Sequence, residues 1–183
     1  MMMTTAVWVC LVVVAISVIS DIATHRIPNL VTLGGLALGV VINGAAGFVE
    51  GGVGGSLRGI GAAFLGAILC GIVPFFAWKK GEMGGGDVKL FAAVGALMGL
   101  SVGFDVEART FAFSFLVLFP YRLVRHRALG VAFTNLRIGI ANLFRNKDVR
   151  QAYVTGPKLP PVILGPAIGV AFALTLVQHG VLR

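Results

Sequence analysis

Long runs without a charged side chain decide what this chain can become. Residues 1–20, 27–49, 59–78 and 159–182 contain no Asp, Glu, Lys or Arg, and residues 90–104 and 110–121 are shorter runs of the same kind. Inside a bilayer every backbone N–H and C=O must find its partner within the protein, so only helices and closed barrels span it. About 20 apolar residues make one spanning helix. Four of the runs meet that length. The two short ones reach about 20 Å each at 1.5 Å per residue. The expectation is an all-α integral membrane protein. It forms one membrane-embedded domain over residues 1–183, a bundle of about six transmembrane helices with a basic cytoplasmic loop before the last. In the alternative, residues 90–121 form two half-spanning helices.

The sparse charges orient the bundle. Only 12% of residues are charged and the mean hydropathy is +0.95, against about 25% charged in an ordinary soluble domain. Under six spans, Arg26, Lys79, Lys80, Lys89 and eight basic residues between 122 and 158 fall at one end. Arg58, Arg109 and Arg183 fall at the other. Positive charge collects in cytoplasmic loops, so the first end is expected to face the cytoplasm and both termini to lie outside it. Asp21, Glu82, Asp87 and Asp148 share the cytoplasmic end; Glu50, Asp105 and Glu107 take the other, and no acid is expected near mid-span. The N-terminal run lacks a basic n-region, so it is read as a retained first span rather than a cleaved signal.

Residues 122–158 interleave arginines with Phe133, Leu136, Ile138, Ile140, Leu143 and Phe144. That pattern suits an amphipathic segment on an anionic lipid leaflet. With its charge explained by topology and no nucleic-acid motif present, no nucleic-acid partner is expected. Cys10 and Cys70 form no C-x-x-C pair and read as small buried hydrophobes, so no metal site is expected. Gly35/Gly39, Gly95/Gly99/Gly103 and Gly165/Gly169 recur every four residues, as small residues do where membrane helices touch. Gly47, Gly51, Gly55 and Gly59 share that spacing but flank Glu50 and Arg58, and are expected in a flexible outer loop.

Two aspartates stand at the cytoplasmic ends of these runs. Asp21 closes the first and is followed by Ile27-Pro28-Asn29; Pro28 fixes its own φ and biases Ile27 toward extended backbone, leaving Asn29 to cap the next helix. Asp87 follows Gly84-Gly85-Gly86 and opens the fourth run, with Lys89 two residues on. A carboxylate at the mouth of a membrane segment is costly. Two of them sharing a proton can activate water and protonate a leaving amine. The glycines are expected to let an extended substrate backbone lie beside Asp87.

The G-x-G-D pattern at Gly84–Asp87, Asp21 with Ile27-Pro28-Asn29, and Lys158-Leu159-Pro160-Pro161 with Gly165-Pro166-Ala167 resemble the type IV prepilin peptidases. The short chain is most similar to the tight-adherence (Flp pilus, TadV/CpaA-type) members. The resemblance implies a multi-pass aspartic endopeptidase of the bacterial inner membrane. Its active site would face the cytoplasm and remove a short basic leader from prepilins and pseudopilins, cutting after a glycine that precedes the hydrophobic helix. It implies Asp21 and Asp87 as the catalytic pair, no cofactor, and Gly84, Gly85, Gly86, Lys89, Pro28 and Asn29 as residues that shape the site or meet substrate. Bifunctional members also methylate the new N-terminus and carry an added domain with paired C-x-x-C motifs. Without such motifs here, peptidase activity alone is expected. The competing readings are a small transporter or channel using intramembrane aspartates, a G-x-G-D protease that cuts within the bilayer, and a non-catalytic assembly scaffold.

Overall fold

The structure, a computed structural model, describes residues 2–125, 129–143, 152–155 and 164–180. It is all-α, with no strand among the described residues. Helix α1 is Met2–Thr24, α2 Asn29–Lys79, α3 Gly85–Phe113, α4 Phe119–Arg125, α5 Leu129–Leu143 and α6 Gly165–Gln178. The chain divides into two compact units, Met1–Phe113 with Val162–Arg183, and Ser114–Pro161. Three segments are long and apolar enough to cross a membrane: Thr5–Thr24, Asn29–Lys79 and Gly85–Tyr121.

In the first unit, α2 and α3 are each a hairpin. Helix α2 breaks at Gly51 (φ −151°, ψ 26°) and Gly52 (φ 59°, ψ −144°). The chain then folds back, so that the backbone of Gly47 lies on Gly55 and that of Asn43 on Gly59. Helix α3 breaks at Gly99 (φ 78°, ψ 173°), a conformation essentially confined to glycine. Its arms close on each other with Gly103 against Gly95. Phe91 stacks on Phe111 with ring centroids 6.0 Å apart. The unit therefore has six helical arms among its described residues: α1, 29–50, 53–79, 85–98, 100–113 and α6. Each arm of α3 is about 21 Å long at 1.5 Å per residue, short of a hydrocarbon core of about 30 Å.

The first arm of α3 is the core of the bundle. Leu90, Phe91, Ala93, Val94 and Ala96 have no exposed surface. It is held by backbone-to-backbone contact. A Cβ on Gly39 would fall 2.8 Å from the carbonyl carbon of Ala96, and Gly66 and Gly95 touch directly. The Asn43 amide donates to Ala96 O and Gly39 O, both at 2.9 Å. The outside is inverted relative to a soluble protein, with Trp8, Val12, Ile16 and Ile19 forming an exposed stripe on α1.

Two expectations are corrected here. Gly47, Gly55 and Gly59 are packing contacts within a helical hairpin, not a flexible outer loop. The turn between the fourth and fifth arms is at Gly99, not at the charged residues 105–109, so Asp105, Glu107 and Arg109 lie within a helix. Charge fails as a loop marker because this unit houses both acids. Asp105 Oδ2 lies 2.8 Å from Nε2 of His179, the C-cap residue that follows α6. Glu107 is only 3% exposed, and its Oε2 has no hydrogen-bond partner among the described residues. An acid does therefore lie inside the bundle.

In the second unit, a π-helical turn Ser114–Leu118 precedes α4, and Phe115 stacks on Phe119. Asn135 on α5 clamps Val154, accepting from its N–H at 2.7 Å and donating to its carbonyl at 3.0 Å. Leu129, Phe133, Leu136 and Ile140 are exposed at i, i+4, i+7 and i+11, one apolar stripe on α5. The remaining basic residues at 127, 145, 147, 150 and 158, with Phe144, lie outside the described residues, as does Lys158-Leu159-Pro160-Pro161.

A side chain at a backbone crossing must force the arms apart, at about 1–3 kcal/mol. Gly95→Val should lower the thermal unfolding midpoint in detergent measurably. Gly61→Ala, with open space around it, should leave the midpoint unchanged or slightly raised, since Ala is the better helix former by about 1 kcal/mol.

Candidate active site

The site is assembled where α1 ends and where α2, α3 and α6 begin. His25 terminates α1 in the left-handed region (φ 53°), and its N–H donates to Asp21 O at 2.9 Å. The hydroxyls of Ser20 and Thr24 both donate to Arg26 O, at 2.9 and 3.2 Å. These bonds fold the 25–28 loop back over the last turn of α1, which carries Asp21. Pro28 follows at the N-cap of α2 in extended backbone (φ −64°, ψ 132°).

Asn29 is the first helical residue and makes no side-chain cap, which corrects the expectation that it would cap α2. The capping position falls on Pro28, which has no side-chain acceptor to offer. The Asn29 Oδ1 instead accepts from Lys89 Nζ at 2.6 Å. That bond ties the start of α2 to the first turns of α3, so two expected site residues meet each other.

Asp87 is the third residue of α3. Its carboxyl reaches back to accept from the backbone N–H of Gly84, the geometry in which an acid one turn into a helix satisfies its cap. The three glycines each make room for a neighbour in this chain. A Cβ on Gly84 would lie 3.0 Å from Asp87 Oδ2, one on Gly85 3.2 Å from Trp78 Nε1, and one on Gly86 2.9 Å from Ile27 Cβ. The last contact presses the Asp21 loop against the Asp87 loop. Gly81, with φ 76°, starts the turn that leads into them.

Asp21 is held by the other end of the chain. Its Oδ2 accepts from the N–H of Gly165 at 2.8 Å, a buried bond across 144 residues. Gly165 begins α6, with Pro166 in the first turn, where proline's missing N–H costs nothing. The N-terminus of a helix offers unpaired donors and the positive end of the backbone dipole. No side chain fits between them, since a Cβ on Gly165 would come within 2.8 Å of Asp21 Cβ and 3.0 Å of Cγ. The four-residue spacing of Gly165 and Gly169 predicts a packing glycine here. The sequence signal that it joins the site is the Gly-Pro step within the last apolar run, towards the end where Asp21 sits.

Asp21 and Asp87 are 8% and 6% exposed, and close enough for Asp87 to feel the Asp21 charge. The site therefore holds two buried carboxyls from different helices, each paired with a backbone N–H at the start of a helix. Two such groups can exchange one proton between them and with a bound water. Among the described residues, no three His, Cys, Asp or Glu side chains are grouped to hold a metal ion.

If Gly165 is fitted to the Asp21 carboxyl, the two positions must couple. Gly165→Ala should destabilise wild type by about 1.5–3 kcal/mol through the lost charge-assisted bond. The same substitution in an Asp21→Ala background should cost less, leaving a coupling of about 0.5–3 kcal/mol in a double-mutant cycle followed by thermal unfolding.

A model of the type IV leader peptidase family matches residues 8–144, about three-quarters of the chain and both aspartates. No curated protein matches the chain. No solved structure matches it either.

Proposed function

The chain belongs to the type IV leader peptidase family, and from that premise we propose that it is an aspartic endopeptidase using Asp21 and Asp87 to remove the leaders of Flp-type prepilins. Membership makes it a protease whose substrates are prepilins, and its apolar helices make it a membrane protein. The observation that carries the rest is the convergence of two buried carboxyls in one membrane-embedded unit, each facing a different helix N-terminus.

In this reading the pair holds a single proton. The ionised carboxylate takes a proton from water as the water oxygen bonds to the scissile carbonyl carbon. The protonated partner donates to the carbonyl oxygen. Collapse of the tetrahedral intermediate breaks the C–N bond: the proton taken from water passes to the leaving amine, and a gem-diol hydroxyl returns its proton to the carboxylate that had protonated the carbonyl oxygen. The products are a free carboxyl and a free amine, and the pair again holds one proton. Because the carboxyls interact, their proton belongs to the pair rather than to one residue. Gly84, Gly85, Gly86, Pro28, Asn29 and Lys89 shape the site. The glycines seat Asp87, Trp78 and Ile27, and the Lys89–Asn29 bond locks α3 to α2.

Arg26, Lys79, Lys80 and Lys89 all stand at the end of the unit that carries the aspartates. Positive charge at that end supports a cytoplasmic site in the bacterial inner membrane. The exposed stripe on α5, within a basic stretch, supports binding to anionic lipid. A basic segment is a poor match for a basic leader, so orientation on the membrane is its proposed role. N-methylation forms no part of the proposal, since the two cysteines are Cys10 and Cys70, both buried and far apart in sequence.

Co-expression with a tagged Flp-type prepilin, read by mass spectrometry, tests this. Wild type should release the leader and leave an unmethylated N-terminus. Asp21→Asn and Asp87→Asn should each slow release by about 10⁴-fold or more, as loss of a central catalytic group does. Gly165→Ala, by displacing Asp21, should slow it by about 10²-fold. Unchanged processing in either Asn variant would overturn the assignment.

A further inference from the structure

Away from the Asp21–Asp87 site, the first unit carries a groove. It lies between α1 and α6, has a volume of about 330 Å³, and among the described residues is lined by apolar residues alone. The two helices meet at Val18 and Gly169, where a Cβ on the glycine would fall 2.9 Å from Val18 Cγ2. The floor is buried, with Val14, Phe172 and Leu176 at 4%, 3% and 1% exposure. Ala15 and Ala173 form open rims. The lining on α1 runs from Leu11 to Ile19, about 12 Å or two turns. One turn beyond Val18 on α1 is Asp21, and one turn before Gly169 on α6 is Gly165. The lining of the groove therefore stops one helical turn short of the Asp21–Gly165 hydrogen bond.

We propose that this α1–α6 groove is the docking track for the apolar helix that follows the scissile bond of the substrate. The inference rests on the leader-peptidase reading. A substrate segment in lipid must be helical, because its backbone groups find no other partners there. The amides of a helix are shielded by their own hydrogen bonds, so the first peptide bonds open to attack are those just before the helix begins. A helix laid along α1 and α6 presents that point at Asp21. The small residues Ala15, Gly169 and Ala173 allow the close backbone approach through which membrane helices associate. Among the described residues, the lining offers no polar side chain that would ask for a headgroup or an ion. The same geometry makes the distance from helix start to cut a matter of register along the groove.

The test places a photo-crosslinking benzoyl-phenylalanine at position 173 of the full chain in membranes. The Asp87→Asn substitution holds the substrate uncut, and a Flp-type prepilin is the probe. A covalent adduct with the prepilin is expected from position 173 and not from position 65, an exposed site on α2 outside the groove. In processing assays, Ala173→Trp should raise KM for the prepilin by about tenfold with little change in kcat, the signature of lost ground-state binding. Wild type should prefer the full prepilin to one truncated soon after the cut, and Ala173→Trp should erase that preference. Ala15→Trp on the opposite rim should repeat the result, and unaltered thermal midpoints would exclude misfolding. Adducts with lipid alone, or a wild-type KM in both Trp variants, would overturn the groove while wild-type processing keeps the peptidase reading. Failure of wild type to cleave either substrate would overturn that reading, and the groove with it.

Discussion

In lipid, no hydrophobic force pulls one helix against another, and this unit is held where backbones touch. Gly39 against Ala96 and Gly66 against Gly95 put two α2 arms on the first arm of α3, and Gly103 against Gly95 puts the second arm of α3 there too. Each contact depends on a missing side chain, because dispersion and weak polar contacts act only at short range. Asp87 sits at the open end of that central arm, one turn before Leu90, whose side chain is wholly buried. Its place is thus set by the most constrained part of the molecule. The catalytic role proposed for Asp87 would gain from such support, since small displacements of reacting groups cost rate steeply.

The second consequence concerns how two carboxyls are kept in a dry place. Burying a carboxylate without partners costs far more than a typical hydrogen bond returns. Here the cost is offset by helix N-termini that arrive from two directions, α3 at Asp87 and α6 at Asp21. The arrangement explains why a helix more than 140 residues from Asp21 belongs to the site, and why its first residue is glycine. Glu107 shows the contrast. It is as deeply buried as the pair, but its Oε2 meets no donor among the described residues, and it stands on the second arm of α3 rather than at a helix start.

The all-α membrane class, the positions of both aspartates and the contact role of Gly35, Gly39, Gly95 and Gly169 were legible in the sequence, because each follows from local pattern: run length, charge position or four-residue spacing. What was not legible depended on partners distant in the chain. Charge at Asp105 and Glu107 looked like a loop, because a sequence does not reveal that His179 waits opposite one and a packed interior surrounds the other. The true turn at Gly99 was hidden among glycines that also serve packing. Asn29 had the chemistry of a cap but not the position, since Pro28 occupies it and Lys89 competes for the amide. Gly165 carried a recognisable Gly-Pro step, yet its bond to Asp21 is a tertiary fact.

The shortness of the α3 hairpin connects these features. Its arms, at about 21 Å, stop well before the far end of the longer α2 hairpin, and the space beyond the Gly99 turn is an open cavity of about 810 Å³ reached by Asn43, Glu50 and Arg58. The first arm of α3, which carries Asp87 in its first turn and is packed by α1, the α2 hairpin and α6, holds several of the largest wholly buried side chains of the unit, Leu90, Phe91 and Val94. A longer α3 hairpin would spread its contacts over the whole bilayer. A short one commits its contacts, and the glycines that permit them, to the end where Asp21 and Asp87 must be held.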